Sequence, residues 1–391
     1  MRTKFFTAFI VAALAVIPTT NSAAQLKAEL VPSVFAELAN AKTLANPALL
    51  LIDVNTGRTI YSKDAEALRT PASTMKLMSA FSVLNYLPPE TTFNTEIYKT
   101  DLKNQFQIVG DFDPSITPTL KLSQDLKFVY SDRLVSLIRS KAKSHRITIR
   151  YYGITVRTKT NMDNTFRRLG YGVSWREISQ AQIDAHKTTL ITKAVSPNLA
   201  NILNYTLLFS DNWVADYMAK IAAEKAGYGY SAHGIELVYK EVLSKYELNN
   251  SAIKTLDGSG LSHSDRISVR NLVDVLTIMN KDPKFESAIS GLPVGGVSGT
   301  LQHRFIKTAP ESVGLIRAKT GSINGVVALA GFIDSGEHEY AFAIIADHLR
   351  KSYASESAAR DTIDKVLGKI AAPKVITPEV SESPVAENPG L

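Results

Sequence analysis

The sequence predicts an α/β protein in which an antiparallel sheet is flanked by helices, with a helical subdomain and an inserted accessory domain. Strand patterns recur towards both ends of the chain, at residues 48–53, 59–62, 315–320, 326–332 and 340–346. Turn signals at 55–57 and 334–336 join neighbouring strands, which is typical of β-hairpins. Helical apolar spacing occurs between the two strand groups, after Thr70-Pro71 and at 199–206 and 214–221.

The first predicted helix begins at Thr70-Pro71 and ends before Pro88-Pro89. Proline is tolerated in a first turn because its missing N–H would have no intrahelical partner there. Ser73 therefore lies in the first turn, and Lys76, three residues later, shares its face. The helix N-terminus favours negative charge that develops near Ser73. Lys76 can act as a base only if burial or neighbouring cations lower its pKa.

A second S-x-x-K pattern occurs at Ser140-Lys141-Ala142-Lys143. It lies in a strongly basic stretch without a helix-start signal, so it fits better the alternative of an N-cap serine with a solvated lysine. We therefore assign the S-x-x-K motif to Ser73 and Lys76.

An S-D-N motif, Ser210-Asp211-Asn212, falls between two helical patterns at 199–206 and 214–221. A tight break between helices can present short polar side chains to a cleft. The similar Ser196-Pro197-Asn198 precedes a helix and is better interpreted as its N-cap region.

A K-T-G motif, Lys319-Thr320-Gly321, lies at the end of a predicted strand. Glycine there would let a substrate backbone lie close to the strand. The alternative is an ordinary edge strand guarded by a lysine. Together, S-x-x-K, S-D-N and K-T-G in this order indicate serine acyl transfer with a lysine base, without metal or cofactor.

Longer blocks carry a family resemblance. These are residues 71–77 around the serine, Asp257-Gly258-Ser259-Gly260-Leu261-Ser262, residues 292–305, and residues 319–332. With these blocks the chain resembles the low-molecular-mass penicillin-binding proteins of the D-alanyl-D-alanine carboxypeptidase/endopeptidase type. The resemblance implies a penicillin-recognising serine transpeptidase-like fold, peptidoglycan stem peptides as substrates, and β-lactams as covalent inhibitors.

The resemblance also implies two sets of site residues. The catalytic residues would be Ser73, Lys76, Ser210 and Lys319. The substrate-binding residues would be Asn212, Thr320, Gly321 and Ser322. The backbone N–H groups of Ser73 and Ser322 would form the oxyanion hole. Ser322 stands where the family usually has threonine, and it keeps the hydroxyl.

The gap between the first two motifs, 137 positions from Ser73 to Ser210, predicts an insertion. We divide the chain into a catalytic domain at 25–89 and 196–371 and an inserted basic domain at 90–195. Residues 121–170 contain twelve Lys and Arg against three Asp and Glu. One interpretation is a solvated basic face; the other is a surface for anionic wall polymer or an acidic partner, with peripheral association to the envelope. The side chains singled out for the second are Arg146, Arg150, Arg167 and Arg168.

The N-terminal segment 1–24 is predicted to be a signal peptide. Met1-Arg2-Thr3-Lys4 is basic, 5–18 is apolar, and Ser22-Ala23-Ala24 offers small residues for cleavage after Ala24. A retained signal-anchor is the alternative. Export with this substrate class implies a periplasmic location, and an exported chain without a recognition motif is not expected to bind nucleic acid.

The remaining composition restricts other function classes. The chain has no cysteine, and its seven histidines form no H-E-x-x-H pattern or compact cluster, so no metal site is predicted. Residues 372–391 are punctuated by prolines and are predicted to be a disordered tail.

Two alternative functions remain open. Residues 245–249 superficially resemble the Glu-x-Glu-Leu-Asn segment of class A β-lactamases, but Lys245 stands where their deacylating glutamate is needed. The other alternative is a catalytically silent peptidoglycan-binding or sensor protein whose function lies in the basic insertion.

Overall fold

The structure, a computed structural model, describes residues 26–373. The predicted signal peptide, 1–24, and all but the first two residues of the predicted tail, 372–391, lie outside the described residues. Between residues 26 and 373, no helix is both long enough and apolar enough to cross a membrane.

The strands of the described residues form two five-stranded sheets and one short ribbon. They are β1 (Ala48–Asp53), β2 (Thr59–Lys63), β3 (Asn94–Thr100), β4 (Gln105–Gly110), β5 (Arg146–Tyr152), β6 (Gly172–Glu177), β7 (Lys187–Val195), β8 (Ile253–Lys254), β9 (Arg266–Ile267), β10 (Ile316–Ile323), β11 (Val326–Ser335) and β12 (His338–Ala346). The first sheet is antiparallel, in the order β10-β11-β12-β1-β2. Its centre pairs β12 with β1, so strand groups far apart in sequence share one sheet.

Helices pack on this sheet and on the second one. They are α1 (Val31–Asn40), α2 (Lys76–Tyr86), α3 (Leu120–Leu126), α4 (Ser131–Lys141), α5 (Val156–Arg168), α6 (Leu199–Phe209), α7 (Asn212–Lys225), α8 (Ala232–Lys245), α9 (Val269–Lys281), α10 (Glu286–Ser290) and α11 (Tyr353–Ile370).

Alternation along β11 shows how the first sheet is covered on both faces. Ala330 and Phe332 belong to one apolar core, shared with α2 and with α6 to α9. Leu329 and Ile333 point the opposite way, into a second core shared with α1 and α11. The predicted antiparallel sheet flanked by helices, with a helical subdomain on one face, is therefore confirmed.

The second sheet is built from the segment between α2 and α6, in the order β6-β5-β4-β3-β7. Its β4–β5 and β5–β6 pairs are parallel. It has its own apolar core with α4 and α5, including Ile108, Ile149 and Phe166. The domain boundaries at 90 and 195 stay a prediction, and this sheet and its core lie between them.

Two local predictions need correction. The helix predicted from Thr70 begins later, as a 3-10 turn over Ala72–Met75 followed by α2. The reason is Ala72, whose φ of 47° is incompatible with a continuous α-helix. The last hairpin turns after Ser335, at 336–337, because β11 continues further than predicted and Gly336, with φ of 61°, supplies the turn conformation.

Candidate active site

Ser73 lies in a tight turn that two other segments enclose. A glycine, Gly260, lies so close to the carbonyl oxygen of Ala72 that a β-carbon would overlap with it. On the other side, a β-carbon at Gly321 would lie 2.7 Å from the carbonyl oxygen of Pro71. Both glycines therefore let neighbouring segments pack against the turn that carries Ser73, and Ala72 holds a strained left-handed conformation between them.

This packing corrects the reason we gave for Gly321. The side of β10 from which the glycine lacks a side chain faces Pro71 and Ala72, not an open cleft. Glycine is needed there so that β10 can approach the serine turn. A direct role of Gly321 in substrate binding stays a prediction.

Lys76 is buried beneath Ser73 and donates to three oxygen acceptors. Its Nζ lies 2.8 Å from Ser73 Oγ, 2.7 Å from Asn212 Oδ1 and 2.8 Å from the carbonyl oxygen of Ser259. Burial lowers the pKa of Lys76 to about 7, although two nearby aspartates act to raise it. Near neutral pH a sizeable fraction of Lys76 is therefore uncharged and able to accept a proton.

The loop at 257–262 presents the carbonyl that Lys76 contacts. Asp257 accepts hydrogen bonds from the backbone N–H groups of Ser259 at 2.8 Å, Gly260 at 2.7 Å and Ser262 at 3.0 Å. Burial acts to raise the pKa of Asp257, but the hydrogen bonds outweigh it and bring that pKa below its usual value. The loop is thus organised around one ionised carboxylate.

Lys319 forms a second serine–lysine pair. Its Nζ donates to Ser210 Oγ at 2.9 Å and to the carbonyl oxygen of Thr320 at 3.0 Å. Burial lowers the pKa of Lys319 well below its usual value, and the charge of Lys76 lowers it further. Ser210 ends α6 with φ of 60°, and Asp211 then caps α7 by accepting the N–H of Val214 at 3.0 Å. The predicted break between helices is confirmed.

The strand β10 is an outer strand of the first sheet. Residues 293–295 pair with its edge up to Ala318, and the edge is free beyond that point. The backbone N–H of Ala318 points away from β11 and donates to Pro293 at 2.8 Å. Because such groups alternate along an antiparallel strand, the N–H groups of Thr320 and Ser322 also face the free edge. Thr320 Oγ1 lies 2.8 Å from Thr300 Oγ1, and the Ser322 side chain is exposed. This edge therefore offers hydroxyl and N–H donors beside the serine turn.

One contact reaches the site from the segment between α2 and α6. Arg157, at the start of α5, places its Nη1 3.7 Å from Asp211 Oδ1 and its guanidinium 5.8 Å from the centre of the Trp213 ring. Its backbone N–H donates to Tyr217 Oη at 3.2 Å. The second sheet and its helices are thus joined directly to the S-D-N motif.

The structure brings the predicted catalytic residues together as two hydrogen-bonded pairs, Ser73 with Lys76 and Ser210 with Lys319. Asn212 joins the first pair, while Thr320 and Ser322 follow Lys319 on β10. The motif at Ser140 lies elsewhere, in the exposed last turn of α4, where Ser140 Oγ donates to the Leu137 carbonyl. The interpretation of Ser140 as an N-cap was therefore wrong.

Sequence reasoning missed four residues that contact residues of the three motifs or Ser322. They are Arg157, Ser259, Thr300 and Arg360. Ser259 and Thr300 lie in the 257–262 and 292–305 blocks, so their positions were marked without a role. Arg157 and Arg360 lie outside every block, and only the fold places them near the site.

Known proteins share the sequence pattern of this chain. The sequence profile of the D-Ala-D-Ala carboxypeptidase 3 (S13) family matches residues 33–131 and 134–370. A penicillin-sensitive carboxypeptidase A of Dictyostelium discoideum is 35% identical over 210 residues, covering 49% of this chain and 38% of that protein. A D-alanyl-D-alanine carboxypeptidase of Actinomadura sp. strain R39 is 34% identical, covering 41% of this chain and 31% of that protein. The matched parts therefore cover only about a third of the length of these two relatives.

Solved structures agree on the fold. Penicillin binding protein 4 of Haemophilus influenzae superposes with a TM-score of 0.68 at 16% identity, covering 85% of this chain and 98% of that one. A predatory endopeptidase of Bdellovibrio bacteriovorus superposes with a TM-score of 0.58 at 16% identity, covering 84% of this chain and 94% of that one. The predicted penicillin-recognising fold is confirmed. Because the family profile matches most of the chain, this protein belongs to the D-Ala-D-Ala carboxypeptidase 3 (S13) family.

Proposed function

We propose that this protein is a serine-type D-alanyl-D-alanine carboxypeptidase/endopeptidase that acts on peptidoglycan peptides through an acyl-enzyme and is inhibited by penicillin. The observation that carries the proposal is the 2.8 Å contact between Ser73 Oγ and the buried Lys76 in a chain of the S13 family. The names of its relatives, which include carboxypeptidases and a predatory endopeptidase, support the same chemistry.

Acylation starts when neutral Lys76 accepts the Ser73 proton and Ser73 Oγ attacks the carbonyl carbon of the scissile bond. The carbonyl oxygen becomes an oxyanion, which the N–H groups of Ser73 and Ser322 stabilise. The free-edge orientation of the Ser322 N–H supports this role. Asn212 holds the amide backbone of the substrate and also orients Lys76.

Collapse of the tetrahedral intermediate breaks the C–N bond, and the leaving amine needs a proton. Ser210 donates its hydroxyl proton to that amine and is reprotonated from Lys319, 2.9 Å away. The Thr320 and Ser322 hydroxyls, with Lys319, hold the carboxylate of the leaving residue. Lys76 then passes the proton that it took from Ser73 to the Ser210–Lys319 pair, so both lysines return to their starting states. Water attacks the ester carbon, the neutral Lys76 accepts a proton from it, and Ser73 leaves with that proton as its hydroxyl.

Acylation is expected to depend on pH through Lys76. Only the neutral amine accepts a proton, and its fraction rises with pH through the pKa of about 7. The rate of penicillin acylation should therefore increase about tenfold per pH unit below 7 and level off above it. Rapid-quench labelling between pH 5 and 9 measures this profile.

The variant Asn212→Asp tests the assignment of that profile. It places a carboxylate at the position 2.7 Å from Lys76 Nζ, which favours the charged lysine, so the rising limb should move to higher pH. A wild-type profile that is flat, or that rises only above pH 9, would show that Lys76 is not the titrating base.

The structure disfavours the β-lactamase alternative. Lys245 Nζ contacts Asn85 Oδ1 at 3.2 Å, near the C-terminal end of α2. Nine residues separate Asn85 from Lys76, which is about 13 Å along a helix. No carboxylate from this segment can then assist deacylation beside Ser73.

Two measurements test the proposed function against its alternatives. A DD-peptidase should retain a fluorescent penicillin covalently and release terminal D-alanine or cleave cross-links in purified muropeptides. A β-lactamase would lose the label rapidly and leave muropeptides intact, and a silent binding protein would do neither reaction. Either of these last two results would refute the proposal.

We further propose that the segment at 90–195 binds anionic wall material. Most of its basic side chains between 121 and 170 are exposed, including Arg146, Arg167 and Arg168. Arg150 was wrongly included, because it is buried and lies 3.4 Å from Gln107. Arg167 and Arg168 also pair with Asp163 and Asp132, which reduces their net charge.

Neutralising Arg139, Arg146, Arg167 and Arg168 to glutamine should weaken binding to isolated sacculi roughly tenfold at low salt, because several exposed charges are lost together. The difference should vanish near 1 M salt, where the screening length is about 3 Å. Cosedimentation measures the binding. The matched control replaces Lys225, Lys281, Lys307 and Lys365, exposed outside the segment, and should bind normally. Equal binding by both variants at low salt would leave only a solvated basic face.

Location is proposed from the N-terminal residues alone. The basic and then apolar segment before Ala24 supports export to the periplasm with cleavage near Ala24. Cell fractionation and N-terminal sequencing of the mature protein test this. A mature N-terminus at Met1 in the cytoplasmic fraction would contradict it.

A further inference from the structure

We infer that Arg360, on the C-terminal helix α11, is a substrate-binding residue that recognises the carboxylate on the leaving side of the scissile bond. The inference rests on the proposed function and adds a residue that lies outside all three motifs. With this role of Arg360, α11 would contribute to the substrate site in addition to packing on the first sheet.

The first argument is the contact between Arg360 and the predicted carboxylate-binding serine. Arg360 Nη2 donates to Ser322 Oγ at 2.9 Å. A hydroxyl that accepts from a guanidinium must direct its own proton elsewhere, because the lone pair faces the arginine. Ser322 is exposed on the free edge of β10, so its proton is available to a substrate carboxylate beside it.

The second argument is that, between residues 26 and 373, some N–H donors of the guanidinium have no acceptor. Both side-chain hydrogen bonds of Arg360 to other residues between 26 and 373 come from Nη2, to Ser322 and to Glu356. Nε and Nη1 have no partner in that part of the chain, and about a quarter of the side chain, 26%, is exposed. A guanidinium carries five N–H donors in a planar fork that suits a carboxylate. Arg360 can therefore donate to a carboxylate while it keeps Ser322.

The third argument is how α11 fixes this cation. Glu356, one helical turn earlier, pairs with Arg360 Nη2 at 3.2 Å. Its other oxygen accepts the N–H of Gly325, in the turn between β10 and β11, at 3.1 Å. Helix α11 thus holds the guanidinium and the end of the hairpin in one arrangement. The guanidinium of Arg360 therefore stays beside the Ser322 hydroxyl at the free edge of β10.

The test compares two substrates that differ only in the charge of the leaving group. One is an N-acyl-D-alanyl thioester of thioglycolate, which ends in a carboxylate, and the other is its methyl ester. For the carboxylate substrate, Arg360→Gln should lower kcat/KM about 10- to 100-fold, the range for one charge-assisted hydrogen bond. For the methyl ester, kcat/KM should stay within about twofold of wild type. Penicillin and its methyl ester provide the same comparison as acylation rates.

Two further variants separate recognition from structural support. Glu356→Gln removes the charge that competes for Arg360 but keeps an acceptor for Gly325, so it should maintain or increase kcat/KM for the carboxylate substrate. Lys365→Gln removes a positive charge from an exposed position on the same helix and should change neither substrate. Equal losses of Arg360→Gln on both substrates would mean that Arg360 only supports the hairpin, and no loss on either would mean that it has no role. Both results would overturn the inference.

The same experiment gives a different result if the proposed function itself is wrong. In that case the wild-type protein would neither react with penicillin nor hydrolyse either thioester. Active wild-type protein with an unchanged preference in Arg360→Gln would instead reject the inference alone.

Discussion

Ser73→Ala is expected to lose all covalent labelling by fluorescent penicillin. The label forms an ester with the serine oxygen, and alanine has no atom that can form it. Ser73 Oγ lies 2.8 Å from Lys76, a buried lysine with a pKa lowered to about 7, so the substitution leaves that base without a hydroxyl to activate at this turn. Gel fluorescence after incubation with excess probe measures the result.

Ser140→Ala is the matched control, because it removes the serine of the other S-x-x-K pattern. Ser140 is exposed at the end of α4 and donates to a helix carbonyl, so labelling and thermal stability should both stay at wild-type values. Continued labelling of folded Ser73→Ala would reject Ser73 as the nucleophile.

Local patterns were enough to predict individual helices and hairpins of this fold, and the family resemblance predicted how they assemble. Alternating apolar residues, turn glycines and a proline at a helix start are local signals, and each hairpin of the first sheet depends on neighbouring residues. Lys76 and Ser73 could also be paired from sequence, because residues three apart share a helix face even when the turn is 3-10.

Contacts between distant segments could not be predicted in this way. Nothing near Ser259 in sequence indicates that its carbonyl meets Lys76, and nothing near Arg360 indicates a contact with Ser322, 38 residues earlier. The error at Arg150 has a similar cause. Charge alone suggested an exposed side chain, whereas Gln107 from the neighbouring strand gives the buried guanidinium a partner.

The pKa of Lys76 depends on such distant contacts. Lys76 is buried because α2 packs against α7 and because the 257–262 loop contacts the lysine. This burial is the largest cause of its lowered pKa. The motif supplies the lysine, but the tertiary fold makes it a base. Roles for the remaining site residues stay predictions that the proposed experiments address.

Lys76→Ala is expected to slow penicillin acylation by about 10²–10⁴-fold, the usual loss when a general base is removed. Ser73 would keep its place in the turn, but the acceptor 2.8 Å from its hydroxyl would be gone. The residual reaction should also lose the rising limb centred near pH 7, because the titrating group is absent. Rates of labelling across pH 5–9 measure both effects.

Lys240→Ala provides the control for removing a lysine from the helical subdomain. Lys240 pairs with Glu236 on the surface of α8, where a single ion pair contributes at most about 1 kcal/mol, so acylation should be unchanged.

Because Lys76→Ala leaves the carbonyl of Ser259 and the amide oxygen of Asn212 without their donor, thermal unfolding must first show that the variant is folded. A folded Lys76→Ala that acylates at the wild-type rate with the same pH limb would assign proton transfer to another group, with Lys319, the other buried lysine of the site, as the first to examine.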